Sequence, residues 1–282
     1  MLGGVYLLDK MAGVTSRHAA MAVAKANGFK KYGHCGTLDP DATGLLVVLL
    51  GKATRLASYI SGDSKRYSFD MVTGIDTDTL DLSGRLLREV DCSDLTTELL
   101  VAKLPLFTGS FLQRVPLFSA VRVGGKRGYK LARQGETPEM PERMVTVAGW
   151  SSGELKGNRI PLEVTVSTGT YIRALARDIG KSLSISAVAD NIRRISAGRF
   201  TVDDASTLND SEGSMLTMAE AMSQYPSVTV TAGTAMGISH GNSFPFENTG
   251  TAVALDIHGE LLAVGTGDGV TFQPKVVLAG GV

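Results

Sequence analysis

Little in this sequence invites metal, redox or membrane chemistry. The chain has two cysteines and four histidines in 282 residues. Cys35 and Cys92 form neither a metal-ligand spacing nor a disulfide framework, so a reducing cytoplasm is the expected setting. No stretch reaches the roughly 18 to 20 apolar residues of a membrane span. The N-terminus, MLGGVYLLDK, has no basic region ahead of its apolar residues and reads as a strand rather than a signal peptide. No dinucleotide fingerprint is present. The run from Gly44 to Gly51-Lys52 only superficially suggests a phosphate loop, because six residues separate its glycines where four are needed, and Ala53 stands at the Ser/Thr position. Nucleotide hydrolysis is rejected on that ground. The acidic segment IDTDTLDLSG, Ile75 to Gly84, lacks the sixth-position glycine and closing glutamate of a calcium loop, so a polar turn between strands is enough. Neither a metal nor a cofactor is expected.

Excess charge of one sign is also missing, with 28 basic and 28 acidic residues. The balance is uneven along the chain, however. Residues 1–67 carry nine Lys/Arg against four Asp/Glu, residues 111–145 seven against three, and residues 146–200 eight against four. The acids concentrate elsewhere, eight against three in 68–110 and nine against one in 201–282. Local basic surface, rather than net charge, is what neutralises phosphates. Scatter of these charges over all faces is the bland alternative.

What is present is a dense central stretch, Gly33 to Gly44, reading GHCGTLDPDATG and followed by the apolar run Leu45 to Leu50. Gly36, Pro40 and Gly44 forbid regular structure through its middle. The apolar run enters the core as a buried strand. Asp39 is thereby aimed from a constrained loop on a rigid sheet, although an ordinary Asp-Pro turn accounts equally for the local composition.

Around this loop the pattern predicts a strand at Val5–Leu8, then a helix capped by Ser16 that runs through Asn27 and stops at Asn27-Gly28. A short helix is expected over Lys52 to Ile60 and a strand over Lys65 to Thr73. Ser93 or Asp94 should cap a helix ending near Leu104-Pro105. A strand at Arg159–Ser167 leads into a helix from Tyr171 to Leu183. Arg173 falls in that helix's first turn, where a cation opposes the dipole and calls for an anionic partner. Phe111 to Arg143 interleaves basic residues with aromatics, a mixture suited to looped RNA. Beyond about Ser223 come short β-like runs at 227–231, 251–257, 260–265 and 275–278.

GHCGTLDPDATGLL closely resembles the active-site motif of the TruB-type tRNA pseudouridine synthases. LLDKMAGVTS (Leu7–Ser16), KRY (Lys65–Tyr67), SAVRVGGKRGYKLARQG (Ser119–Gly135) and GTYIRALARDIG (Gly169–Gly180) resemble further blocks of that family in the same order. Met11 replaces the usual proline of the first block, Phe118 a usual tyrosine and Arg122 a usual lysine. The resemblance implies an α+β pseudouridine synthase fold, with a mixed, mainly antiparallel sheet flanked by helices. It divides the chain into a catalytic domain, 1–222, carrying a thumb-like insertion at about 111–143, and a small PUA-like β-barrel, 223–282.

The reaction implied is isomerisation of uridine 55 in the T-loop of tRNA, with no metal or cofactor. Asp39 would be the essential carboxylate, and Arg173 would keep it ionised and orient it by a two-pronged hydrogen bond. Tyr67 would stack on a flipped-out uracil and His34 would fill the space left in the RNA. Tyr171, Ile192, Lys10 and Arg122 complete the expected substrate contacts. The expected partner is the tRNA T-arm, for a cytoplasmic monomer without membrane attachment. An RNA-folding chaperone and a guide-dependent synthase remain as alternatives, and a glycosylase would share the carboxylate but release uracil.

Overall fold

In a computed structural model, which describes residues 2–208 and 215–278, the apolar run 45–50 is the middle of a strand, Thr43–Gly51. A continuous apolar run fits a strand buried on both faces. Leu46, Val48 and Leu50 pack on one side with the helices Ser16–Ala26 and Ile172–Ser182. Leu45, Val47 and Leu49 pack on the other, with Leu56, Ile60, Val253, Leu261 and Val264. This strand therefore sits between two cores.

In chain order the elements are β1 (Gly3–Lys10), α1 (Ser16–Ala26), β2 (Tyr32–Cys35), β3 (Thr43–Gly51), α2 (Ala57–Ile60) and β4 (Ser64–Thr73). A hairpin of β5 (Ile75–Thr77) and β6 (Leu86–Glu89) precedes α3 (Thr97–Val101) and β7 (Gly109–Arg114). A second hairpin, β8 (Arg122–Val123) and β9 (Lys126–Arg127), leads into α4 (Gly128–Arg133) and β10 (Glu142–Ser152). Then come β11 (Arg159–Ser167), α5 (Ile172–Ser182), β12 (Ala187–Ala197), β13 (Phe200–Thr201), β14 (Met215–Leu216) and α6 (Met218–Ala221). The chain continues with β15 (Ser227–Thr229), α7 (Ala232–Ser239), β16 (Phe244–Pro245), β17 (Thr249–Leu255), β18 (Leu261–Asp268) and β19 (Thr271–Val277).

Among the described residues, ten strands form one mixed sheet in the order β14-β1-β3-β12-β4-β11-β10-β7, with β2 beside β3 and β13 beside β12. The β3–β12 pair is parallel, and the other pairings are antiparallel. Gly44 permits that parallel approach: its φ is +95°, and a β-carbon there would lie 2.3 Å from the Arg194 carbonyl oxygen. A second sheet, β15-β17-β18-β19-β16, encloses its own small core, in which Phe244 stacks on Phe272 and Phe246 meets Phe272 edge-on. Lys52 and Arg55 donate to the carbonyls of Leu278 and Val277, which ties this sheet to the first.

Several local expectations need correction. Thr15, not Ser16, caps α1, because the Ser16 hydroxyl is taken up by Leu38. Residues 52–60 split into a 3-10 turn, Lys52–Leu56, and α2. Thr96, not Ser93 or Asp94, caps α3, and Asp91 instead accepts from the Ser93 N–H. The ends of the 111–143 insertion are sheet, since Gln113 and Arg114 pair with Arg143 and Glu142. Only residues 115–141 leave it. The C-terminal strands shift by a few residues, and α7, capped by Thr231, was not anticipated.

Candidate active site

Asp39 leaves the sheet on a loop whose backbone is fixed on both sides. On one side the Ser16 hydroxyl, itself buried, accepts from the Leu38 N–H at 2.8 Å and donates to the Leu38 carbonyl at 2.9 Å. On the other, the Lys10 ammonium donates to the carbonyls of Pro40, Val14 and Met11, each at 2.8 Å. These two residues close the first motif onto the central one. Burial of Lys10 pushes its pKa down to about 8.

Arg173, 4% exposed, reaches Asp39 from the first turn of α5, its Nε donating to Oδ2 at 2.9 Å. The contact is single rather than two-pronged, because Nη1 donates to the Thr79 carbonyl and Nη2 to the Phe118 carbonyl. The guanidinium thus ties three loops together. Asp81 is a second carboxylate 3.6 Å from Arg173 Nε, held by the hydroxyls of Thr79 and Ser83. The Asp39 side chain is 43% exposed, and its Oδ1 accepts no hydrogen bond among the described residues. That leaves one oxygen oriented and the other available to a ligand.

Beside Asp39 lies a cavity of about 270 Å³, lined among others by Tyr67, Lys65, Tyr171, Ile192, Arg194 and Arg173. That is near the lower end of small-molecule sites, roughly 300 Å³. Tyr67 is 7% exposed on β4, opposite Arg194 on β12. Arg194, fully buried, donates to the carbonyls of Leu45 and Gly36 and points Nη1 at the Tyr67 hydroxyl, 3.5 Å away. The β12 register slips by one residue between Asp190 and Arg193. Such a bulge re-aims a side chain, and Ile192 lies within it, lining the cavity. Tyr171 is fixed through its backbone, with N–H and carbonyl both paired to the buried Gln113 amide at 2.9 and 3.1 Å. Its ring lies under the Arg143 guanidinium at 6.0 Å.

The sequence pattern of the TruB family pseudouridylate synthase (N terminal domain) matches residues 24–172. The chain belongs to the TruB family. Its relatives include the tRNA pseudouridine synthase B of Syntrophobacter fumaroxidans, 39% identical over 82% of this chain and 78% of that one. The synthase of the same name from Thermobifida fusca is 36% identical over 99% of this chain and all of its own. Among solved structures, an H/ACA RNP bound to a substrate RNA containing 2′-deoxyuridine superposes with a TM-score of 0.72 at 22% identity, covering 98% of this chain and 85% of that one. A Cbf5-Nop10-Gar1 complex gives 0.70 at 24%, with the same coverage. These two likenesses establish the pseudouridine synthase fold, and the curled C-terminal sheet is consistent with a PUA-like unit.

Of the residues expected in a TruB site, Asp39, Arg173, Tyr67, Tyr171 and Ile192 share the cavity. His34 stands on β2, and the residues lining the cavity do not include it. Its Nδ1 is buried with no partner among the described residues, and burial beside Arg194 holds its pKa below the ordinary 6.5. Lys10 lies beneath the loop, with its three donors spent on backbone, which leaves none for RNA and corrects its place among substrate contacts. Arg122 is exposed on the β8–β9 hairpin, and the residues lining the cavity do not include it. Sequence reasoning missed Ser16 as a clamp, Asp81 and Thr79 in a stretch read as a plain turn, and Gln113. No local spacing announces these four, because each acts through a partner distant in the chain.

Proposed function

We propose that this chain isomerises uridine 55 in the T-loop of tRNA to pseudouridine, in the cytoplasm and as a monomer. The observation that carries the reading is the single Arg173–Asp39 contact beside the cavity. It holds one carboxylate oxygen and leaves the other open toward a space walled by Tyr67. The reaction needs a carboxylate oxygen free to act at C1′ or on the base. The N1–C1′ bond breaks, the pyrimidine turns, C5 bonds to C1′, and the C5 proton is exchanged for one on N1. Nothing is added or removed.

The target uridine must leave its stack to enter, at a cost of a few kcal/mol that stacking on Tyr67 offsets. Residues 115–141, with Lys126, Arg127, Lys130 and Arg133 beside Tyr129, are the surface we assign to the T-arm, together with Arg122. His34, kept neutral by its surroundings, would enter the opened loop without a charge to desolvate. Residues 1–222 then act as the catalytic domain. The acidic PUA-like unit, 223–282, packs its apolar residues on the sheet face opposite the Asp39 cavity, a stabilising position.

Incubating the purified chain with a bare T-arm stem-loop and mapping the modified position tests the reading. Conversion at the position equivalent to 55 is expected. Binding without conversion would favour a chaperone, conversion only with added guide RNA a guide-dependent synthase, and release of free uracil a glycosylase.

A further inference from the structure

Lys65 is a charged cavity-lining group whose chemistry the proposed reaction has not yet used. It lies two residues before Tyr67 on β4 and therefore on the same face of the strand. It is 5% exposed, lines the cavity, and forms no ion pair among the described residues. Its hydrogen bond there is a single long one, Nζ to Thr168 Oγ1 at 3.3 Å. An ammonium carries three donors, so at least two are unspent in a place almost closed to water. Its nearest charged neighbour is another cation. Nζ of Lys65 and Nη1 of Arg194 lie 3.0 and 3.3 Å from the point where a β-carbon on Gly36 would sit. Burying like charges together without a carboxylate is unfavourable, and a structure retains them where an anion is to be met. Gly36, at φ +80°, leaves the room for both.

Of the two courses left open above, attack of the Asp39 carboxylate at C1′ creates such an anion. When N1–C1′ breaks heterolytically, the bonding pair stays with the pyrimidine and spreads over N1, O2 and O4, while C1′ is met by the Asp39 carboxylate. The same pair later forms the C5–C1′ bond, so electrons balance without any other reagent.

We propose that Lys65 is a catalytic residue that donates to a carbonyl oxygen of the extruded uracil and, with Arg194 behind it, stabilises the uracil anion between bond cleavage and re-formation. The inference rests on the isomerase reading and adds a second charged site to it. Asp39 works on the sugar side of the breaking bond, and Lys65 on the base side. Thr168 serves as the resting partner of the ammonium when the cavity holds no base.

The test uses single-turnover kinetics on a T-arm stem-loop carrying uridine or 5-fluorouridine at the target position, with the full chain and Lys65→Met. Fluorine at C5 makes the uracil anion more stable on its own and reduces its need for help. For Lys65→Met we expect RNA affinity within about threefold of the unmodified protein and a uridine rate lower by about a hundredfold, the scale of losing one preorganised donor to a developing anion. The loss with 5-fluorouridine, read as disappearance of the nucleoside, should be smaller by about tenfold, and Lys65→Arg should recover part of the uridine rate. If Lys65→Met does not fold, Lys65→Gln, which keeps a donor and loses the charge, carries the same comparison. A uridine rate within about threefold of the parent overturns the proposal, as does an equal loss on both substrates or a loss confined to affinity. Failure of the unmodified protein to convert uridine would instead sink the isomerase reading itself, and this inference with it.

Discussion

Replacing Ser16 by alanine removes one oxygen and tests whether the loop bearing Asp39 is aimed from the first helix. Ser16 and Leu38 are 2% and 4% exposed, and the hydroxyl satisfies both backbone groups of Leu38, at 2.8 and 2.9 Å. In Ser16→Ala those two groups stay buried without partners, at about 1–3 kcal/mol each. Allowing for partial relaxation, the loss is about 2–4 kcal/mol, which for a chain of this size lowers the melting temperature by roughly 4–10 °C. Catalysis should suffer separately, because a displacement of about 1 Å in a reacting group costs on the order of a hundredfold. The assay is single-turnover conversion of a T-arm stem-loop beside its binding affinity, with Thr15→Ala as the control. Thr15 caps the same helix from solvent, accepting from the His18 N–H at 3.2 Å. Its loss costs about 1 kcal/mol of stability and no more than about threefold in rate. Should Ser16→Ala lose stability yet convert within about threefold of the parent, the clamp does not aim Asp39 and the reasoning fails.

Lys10 gives a pH dependence of defined sign. The native group releases its proton near pH 8 and the unfolded one near 10.5. Between those values the unfolded chain holds more protons, so this group's contribution to stability rises with pH, the burial cost being present in full below 8. Urea midpoints should therefore shift in favour of the parent over Lys10→Met on going from pH 7 to 10; a constant difference would contradict the burial assigned to the ammonium. Gly44→Ala must push a methyl against the Arg194 carbonyl at 2.3 Å and should unfold or strongly destabilise the chain. Gly135→Ala, with φ +76° but open space around it, should cost far less by thermal melting. Binding of the stem-loop should weaken with salt through counterion release, and Arg122→Ala should lower the slope by about one if that side chain meets a phosphate. A salt-independent affinity would remove the basis for assigning RNA to the basic segments.

Much of the fold was legible because local pattern and burial agree. The strand at Arg159–Ser167 ends where its alternation ends, and α5 starts where Gly169-Thr170 breaks it. The run 45–50 is buried on both faces, as its unbroken apolar character required. Misses occurred where a distant partner decided a side chain's use. Ser16 has the chemistry of a cap, but Leu38 claims its hydroxyl and Thr15 takes the capping position. The acidic turn at 75–84 looked self-sufficient, yet Thr79 and Asp81 complete the surroundings of Arg173, contacts across 94 and 92 residues of chain that no local spacing encodes. The bulge at Asn191–Ile192 carries no glycine to announce it, and Asn191 adopts φ +49° unaided. In α7, Gly233 and Gly237 weaken the helical signal, and tertiary packing of Ile238 overrides it.

The account turns on Asp39 as the reagent rather than as an ordinary turn residue. Asp39→Asn preserves shape and the Arg173 Nε hydrogen bond while removing the charge. Following pseudouridine in a T-arm stem-loop under single-turnover conditions, the account predicts no detectable conversion, with RNA affinity within about threefold of the parent, since phosphate contacts dominate binding. Conversion by Asp39→Asn at a rate near the parent's would contradict it.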